Sequence, residues 1–180
     1  MSLLNEGFML ALLFAVNKHA NQTRKLNGEP YVCHPIRVAM LLSSKIDPSF
    51  SAPYQAAVLH DVLEDTNTTF EELEANFGRE VAMLVRELTN DKLAIAGLGK
   101  TEYLRTKMRQ LSEKALSIKL CDRYDNINDL PPAHTQNEWA NNYAQQTYVI
   151  LKDLAFFTES QCFLNVEIKE RLRELGYIQN

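Results

Sequence analysis

The sequence predicts an all-α fold, and three observations support this class. Apolar residues recur with helical spacing in nearly every segment of the 180-residue chain. Alternating runs of β-branched residues, which are typical of strands, are scarce. Glycine and proline are few, at six residues each, and several of them stand where one periodic segment gives way to the next.

The first four helices follow from apolar spacing and from the residues at their ends. The apolar N-terminal run lacks the basic start and the small-residue cleavage site of a signal peptide, so we expect a core helix there. Pro35 suits the first turn of the second helix, and DPSFSAP interrupts the chain before the third. In TTFEEL, Thr68 or Thr69 is a candidate N-cap, and Gly78 ends the fourth helix. The predicted ranges are 3–21, 35–46, 51–64 and 69–77.

Five more helices are predicted at 79–90, 101–111, 113–130, 137–159 and 165–175. Two segments, TRKLNGEP at 23–30 and NDKLAIAGLGK at 90–100, are expected to be exposed loops. No linker-like stretch divides the sequence, so residues 1–180 are expected to form one compact domain.

Composition argues against several classes of function. The formal net charge of −4 provides no basic surface, so no nucleic-acid partner is expected. No apolar run is long enough to span a bilayer, so no membrane association is expected. The three cysteines form no CxxC pair, which is typical of reduced thiols in a cytoplasmic protein.

One predicted helix carries an unusual set of ionisable residues. In YQAAVLHDVLEDT (54–66) an apolar half is followed by His60, Asp61, Glu64 and Asp65. Burying such charges is unfavourable unless each has a partner or a metal ion. In a continuous helix His60 lies above Glu64, and Asp61 lies above Asp65, with the two pairs about 100° apart. All four side chains can then face one cleft.

His34 and Asp122 extend this set. His34 begins a predicted helix in YVCHPIRVAM, and Asp122 lies within an apolar helix in ALSIKLCDRYDNINDL. Two imidazoles and two carboxylates from three helices would form a mixed nitrogen and oxygen site, which suits Mn²⁺, Fe²⁺ or Zn²⁺. A structural explanation also stays open, because Asp122 can pair with Lys119 or Arg123 and an HD dipeptide alone is common.

The order His34, His60-Asp61, Asp122 resembles the H…HD…D metal signature of the HD-domain phosphohydrolases. More narrowly, RKLNGEPYVCHPIRVA, AAVLHDVLEDT and IKLCDRYDNI resemble the hydrolase domain of the RelA/SpoT homologues. Members of that family remove the 3′-diphosphate of the alarmone guanosine tetraphosphate, usually with Mn²⁺. Since 180 residues leave no room for a synthetase domain, the resemblance implies a small, stand-alone alarmone hydrolase. The implied fold is a compact HD-domain bundle of about eight to ten helices.

The resemblance also implies a role for each motif residue. The implied metal ligands are His34, His60, Asp61 and Asp122. The residues implied to position and activate the attacking water are Glu64 and Asp65. The residues implied to bind the nucleotide are Arg24, Lys25 and Asn126.

Two positions depart from the family pattern. Asp125 stands where many bacterial members have histidine, so a carboxylate is expected beside the phosphate site, and two effects stay open: repulsion of an anionic substrate or a shift in substrate preference. The loop between Lys25 and the segment GEPY is one residue longer than in many bifunctional members, which leaves the exact position of the basic pair open.

The predicted activity is metal-dependent hydrolysis of guanosine 3′,5′-bis(diphosphate), or of its pentaphosphate form, to GDP or GTP and diphosphate. Two alternatives stay open: hydrolysis of another nucleotide, such as removal of the 2′-phosphate of NADPH, and a nucleotide-binding regulatory module without activity. The expected partner is a small nucleotide. The expected cofactor is Mn²⁺ or another divalent transition metal ion, and a homo-oligomer is compatible with the sequence.

Overall fold

The computed structural model describes residues 6–44 and 51–179, which form eleven α-helices, one short 3-10 helix and no strand. The all-α prediction is therefore confirmed. The helices are α1 (Glu6–Lys18), α2 (Cys33–Ser43), α3 (Ser51–Leu59), α4 (Val62–Asp65), α5 (Phe70–Phe77), α6 (Arg79–Leu88), α7 (Lys92–Leu98), α8 (Lys100–Gln110), α9 (Glu113–Asn128), the 3-10 helix Ala133–Thr135, α10 (Glu138–Lys152) and α11 (Glu159–Glu174).

Helix α9 lies at the centre of the fold. Its Ser112 cap accepts a hydrogen bond from the third residue of the helix, and the helix packs against α2, α3, α6 and α11. Leu116, Ile118, Leu120 and Ile127 of α9 are fully buried, and each such side chain contributes about 1.5–3 kcal/mol to folding. The meeting point of α2, α3 and α9 is therefore a rigid place for a functional site.

The predicted helix 51–64 is interrupted, which corrects the expectation of a continuous helix through the ionisable segment. α3 ends at Leu59, and α4 begins at Val62, with Asp61 as its N-cap at φ −103°. The ring atom Nδ1 of His60 lies 2.8 Å from the carbonyl oxygen of Ala57. A continuous helix would use that carbonyl for the N–H of Asp61, so the imidazole competes with the helical hydrogen bond.

The segment 90–100, predicted as a loop, contains α7. The Asp91 side chain accepts hydrogen bonds from two N–H groups of the first turn, and Gly99 ends the helix with a φ of 78°. None of the α7 residues is buried. The local caps therefore form this helix without an amphipathic pattern that would predict it.

The predicted helix 137–159 ends earlier, and the predicted helix 165–175 begins earlier. α10 stops at Lys152, and α11 begins after Thr158, whose hydroxyl accepts a hydrogen bond from the N–H of Gln161 at 3.2 Å. The pattern Thr-x-x-Gln has the sequence of a capping box, although the Gln161 side chain accepts from the N–H of Phe157 and not from that of Thr158. At the other cap that the sequence left open, Thr69 rather than Thr68 caps α5.

The loop 23–30 is closed by backbone hydrogen bonds. The N–H of Arg24 donates to the carbonyl of Glu29 at 2.8 Å, and an isolated antiparallel bridge pairs Thr23 with Pro30. Gly28 has a φ of 74°, which the tight turn requires. The basic pair predicted to bind the nucleotide is thereby held on a defined turn.

Within the part of the chain that the structure describes, no helix combines the length and apolarity needed to cross a bilayer. The three cysteines, Cys33, Cys121 and Cys162, form no disulfide within the described residues.

Candidate active site

Three side chains from different parts of the fold meet at one point. His34 lies in the first turn of α2, His60 follows α3, and Asp122 lies in α9, and all three are buried. Their nitrogen and oxygen atoms lie within 4.8 Å of one another. His34 Nε2 is 3.2 Å from Asp122 Oδ1, and His60 Nε2 is 3.9 Å from the same oxygen. The fold thus brings together three of the four residues predicted as metal ligands.

Asp61, the fourth predicted ligand, lies beside this group. Its Oδ2 is 3.0 Å from His60 Nε2 and 3.8 Å from His34 Nε2, and it also accepts a hydrogen bond of 2.5 Å from the hydroxyl of Tyr31. Adjacent side chains of a regular helix point about 100° apart. The break between α3 and α4 instead allows His60 and Asp61 to face the same point.

The orientation of His60 fits a bound cation. A carbonyl oxygen can only accept a hydrogen bond, so the contact with Ala57 places the proton on Nδ1 and leaves a lone pair on Nε2. That Nε2 is buried and has no hydrogen-bond partner among the described residues, although the carboxylate of Asp61 is 3.0 Å away. A lone pair facing carboxylate oxygens is stabilised by a positive ion between them. The nitrogen and oxygen donors suit a divalent ion of borderline hardness.

Both oxygens of Asp122 are held in place. Lys119 Nζ lies 2.7 Å from Oδ2, and the side-chain amide of Asn126 donates to Oδ1 at 2.6 Å. Burial acts to raise the pKa of Asp122, but the ammonium of Lys119 and the imidazole of His34 outweigh it and hold the pKa well below its usual range. Asp122 is therefore a carboxylate with a fixed orientation.

His34 is similarly affected by the carboxylates around it. Burial acts to lower its pKa, but hydrogen bonds to Asp122 and Asp125 outweigh burial and raise the pKa to about 9. In the metal-free protein this imidazole therefore holds a second proton at neutral pH, which a metal ion would displace on binding.

Glu64 and Asp65 lie at the edge of the same cavity but differ in their surroundings. The Glu64 carboxylate accepts hydrogen bonds from the backbone N–H of Asn90 at 3.1 Å and from its side-chain amide at 2.9 Å. Asp65 is exposed as a residue, but its carboxyl group is partly covered by its neighbours. This loss of solvation raises the pKa of Asp65, and the negative charges of Asp61 and Glu64 raise it further. The Glu64 carboxylate is therefore held in a fixed orientation, whereas the Asp65 carboxyl binds a proton more readily than an ordinary aspartate does.

The predicted nucleotide-binding residues also differ. Arg24 donates to Asp129 at 2.7 Å and to the side-chain oxygen of Asn126 at 2.9 Å. Asn126 in turn contacts Asp122, so Arg24 is connected to the metal-site cluster. Lys25 is exposed and has no ion-pair partner among the described residues. Of these three predicted residues, Lys25 is the one whose charge is not already used by an ion pair among the described residues.

A cavity of about 310 Å³ joins these groups. Its wall also includes Lys100 and residues that the sequence did not mark as functional: Tyr31, Asn90, Lys119, Arg123, Trp139, Tyr143 and Gln146. Trp139 and Tyr143 stack with ring centroids 5.4 Å apart and planes at 16°. Their spacing of four residues on α10 is a sequence signal for a shared face, but not for a cavity.

Arg123 is a buried cation in this wall. It is 2 % exposed, donates to the hydroxyl of Thr147 at 2.7 Å and lies over the ring of Tyr143 at 5.5 Å. Among the described residues no carboxylate forms an ion pair with it, and its Nε has no hydrogen-bond partner. A buried charge without a counter-ion favours an anionic ligand in the cavity.

Asp125 corrects the expectation that a carboxylate would face the phosphate site. It is 4 % exposed, and both of its oxygens are engaged by His34 Nδ1 and by the guanidinium of Arg37. It does not line the cavity that contains Glu64 and Asp65. The Asp125 carboxylate therefore faces His34 and Arg37 and is not part of the wall of that cavity.

The sequence model of the HD domain family matches residues 11–156. The chain belongs to the HD-domain family. The matched range contains all nine residues assigned a role from the motifs, and the resemblance noted from the sequence is confirmed.

Two curated relatives from different animals share a name. A protein of Xenopus tropicalis is 41 % identical over 139 residues, which are 75 % of each chain, and a protein of Drosophila melanogaster is 35 % identical over 176 residues, which are 95 % of this chain and 96 % of the relative. Both are named guanosine-3′,5′-bis(diphosphate) 3′-pyrophosphohydrolase MESH1. A solved structure described as a metazoan ortholog of SpoT that hydrolyses ppGpp has a TM-score of 0.80 at 34 % identity, covering 97 % of this chain and 98 % of that one. These matches support the HD-domain bundle as the fold.

Proposed function

We propose that this chain hydrolyses guanosine 3′,5′-bis(diphosphate) at the 3′-position, releasing diphosphate and GDP. The observation that carries the proposal is the convergence of His34, His60 and Asp122 within 4.8 Å beside a cavity that contains further carboxylates and cations. Relatives that carry the name of this activity match the chain over most of its length. We further propose that residues 1–180 act as one domain.

The proposed metal ligands are His34, His60, Asp61 and Asp122. Support comes from the buried Nε2 of His60, which has no hydrogen-bond partner among the described residues, and from the mixed donor set. We propose Mn²⁺ as the ion. When bound, such an ion supplies Lewis-acid polarisation of a phosphate and a lower pKa for water.

The proposed proton acceptor is Asp65. Water attacks the phosphorus atom bonded to the ribose 3′-oxygen, the bond between that oxygen and phosphorus breaks, and the diphosphate leaves with the water oxygen. The proton released by the water goes to the Asp65 carboxylate, whose raised pKa favours it, and the ribose 3′-oxygen takes up a proton from solvent water to become a hydroxyl. Glu64, held by Asn90, orients the water.

The proposed nucleotide contacts are Lys25, Arg24 and Asn126. Lys25 supplies an unpaired charge on the turn 23–30, and Arg24 with Asn126 forms a fixed polar surface that ends at Asp122. Arg123 and Lys100 add positive charge to the same cavity. Charge-assisted hydrogen bonds from such groups are the usual means of holding phosphate.

The cytoplasmic location and the homo-oligomer stay predictions.

Product analysis on a nucleotide panel tests this function. With Mn²⁺ we expect guanosine 3′,5′-bis(diphosphate) to yield diphosphate and GDP in equal amounts, and GTP, which has a free 3′-hydroxyl, to stay intact. Phosphate release from NADPH at an equal rate would move the activity to the alternative nucleotide class. Binding of the nucleotide with no product from any member of the panel would favour the regulatory module.

A further inference from the structure

Asp125 contacts a metal-site histidine without reaching the catalytic cavity, and its role is not assigned by the motifs. We propose that Asp125 is a positioning residue that orients His34 for metal binding and is itself fixed by an Arg37–Glu29 pair. The proposal rests on the metal site of the proposed function. It concerns how this chain holds one ligand, and it assigns no new step to the reaction.

The ring of His34 is fixed at both nitrogens. Nδ1 lies 2.7 Å from Asp125 Oδ2, and Nε2 lies 3.2 Å from Asp122 Oδ1 on the metal side. A carboxylate accepts but does not donate, so Asp125 places a proton on Nδ1 and directs the opposite nitrogen, Nε2, towards the metal site. Both partners of the shorter contact are buried, which keeps water from competing for it.

The two histidines of the site are oriented by acceptors of different charge. His60 Nδ1 faces the neutral carbonyl of Ala57 at 2.8 Å, whereas His34 Nδ1 faces the carboxylate of Asp125. A carboxylate behind a metal-bound imidazole increases the basicity of the ligand and fixes its plane. Of the two histidines, His34 is therefore the one whose metal affinity depends on a charged acceptor.

Asp125 is held by a bidentate contact from Arg37. Arg37 Nε donates to Asp125 Oδ1 at 2.7 Å, and Nη2 donates to Oδ2 at 3.2 Å. The remaining nitrogen, Nη1, donates to both carboxylate oxygens of Glu29 at 2.8 Å. Paired Arg–carboxylate contacts of this kind fix direction as well as distance. The guanidinium also balances the buried negative charge of Asp125.

These contacts link the turn 23–30 to the metal site. Glu29 closes the turn 23–30 by accepting the N–H of Arg24 at its backbone carbonyl, while its side chain holds Arg37. The order of contacts is Glu29, Arg37, Asp125 and His34. The turn that carries Arg24 and Lys25 is therefore connected by hydrogen bonds to His34, a proposed metal ligand.

The test is the affinity of the purified chain for Mn²⁺, measured by competition with a chelating indicator. Asp125→Asn keeps the shape of the side chain and removes its charge, and we expect metal binding to weaken on the order of 10- to 100-fold. At saturating Mn²⁺ the variant should recover most of the parental kcat with an unchanged KM, since Asp125 does not touch the substrate. An affinity equal to that of the parent would overturn the proposal, and so would a kcat that stays low with the site full.

Asp153→Asn is the matched control, because it removes the charge of an aspartate paired with an arginine, Arg105, far along the chain from the site. Its metal affinity should equal that of the parent. Equal losses in the two variants would overturn the proposal, because they would reflect total charge rather than the support of His34.

A measurement on the unchanged chain covers the case in which Asp125→Asn fails to fold. In the Zn²⁺-loaded protein, nitrogen NMR of the imidazoles should find His34 protonated at Nδ1 and bound through Nε2. Binding through Nδ1 would overturn the proposal. Mn²⁺ affinity and imidazole NMR are measured without the nucleotide. A chain that binds Mn²⁺ but releases no diphosphate would therefore defeat the proposed function and leave these two measurements able to test the role of Asp125.

Discussion

Removal of the Lys119 charge should lower the free energy of unfolding of the metal-free chain, because Lys119 compensates the buried charge of Asp122. Lys119 Nζ lies 2.7 Å from Asp122 Oδ2, and the two side chains are only 12 % and 8 % exposed. Breaking a buried pair by removing one partner costs about 3–5 kcal/mol, because the other charge is left without compensation. Since Asp122 keeps its contacts with Asn126 and His34, we take the lower end, about 3 kcal/mol, for Lys119→Met.

Thermal and denaturant unfolding of the metal-free chain measure this loss. For a protein of this size about 3 kcal/mol corresponds to a fall in Tm of about 6–12 °C. Mn²⁺ should narrow the difference between variant and parent, because a bound cation restores positive charge beside Asp122. Lys114→Met is the matched control on the same helix: its pair with Glu80 is 41 % and 63 % exposed, so its loss should stay below about 1 kcal/mol. Equal losses in the two variants, or a difference that Mn²⁺ leaves unchanged, would refute the reasoning.

Three further predictions concern the carboxylates, the cations of the turn and one buried amine. Asp65→Asn and Glu64→Gln should each lower kcat on the order of 10²–10⁴-fold while elemental analysis finds the parental content of Mn²⁺, and parental turnover in both would contradict their assigned roles. Lys25→Gln should raise KM with kcat nearly unchanged. Arg24→Gln should also lower kcat, because Arg24 is connected through the Asn126 amide to Asp122. Identical kinetic changes in the two variants would count against that connection. Burial lowers the pKa of Lys107 from 10.5 to about 8. Between these values the Lys107 amine is protonated in the unfolded chain but neutral in the folded chain. The contribution of Lys107 to the free energy of unfolding therefore rises with pH across that range. The free energy of unfolding of the parent relative to Lys107→Met should therefore increase between those two pH values, and a constant difference would exclude the effect.

The sequence could predict the helical fold and the members of the site because both depend on short-range signals. Apolar spacing identified most of the helices, since burial of one face determines whether a segment forms a helix. The motif around His60 and Asp61 marked a site because charged residues rarely follow a buried run without a reason. The structure places that motif beside His34 and Asp122, as the order of the motifs led us to expect.

Features that depend on contacts between distant residues could not be predicted. Glu64 is held by Asn90, which lies 26 positions away, and Asp125 is held by Arg37, which lies 88 positions away. From the sequence, Asp125 was expected beside the phosphate site, and no local signal indicated that it pairs with Arg37. The break at His60 was also hidden, because the apolar pattern continues through it and the competing hydrogen bond to Ala57 comes from a single ring nitrogen.

Stepwise addition of Mn²⁺ to the metal-free chain, with bound ion and diphosphate release from guanosine 3′,5′-bis(diphosphate) measured on the same samples, tests the central claim most directly. The account predicts that activity is absent before metal is added, rises in proportion to bound Mn²⁺ and reaches its limit at one ion per chain. Full release of diphosphate without bound metal, or saturation of the site with no release, would contradict it.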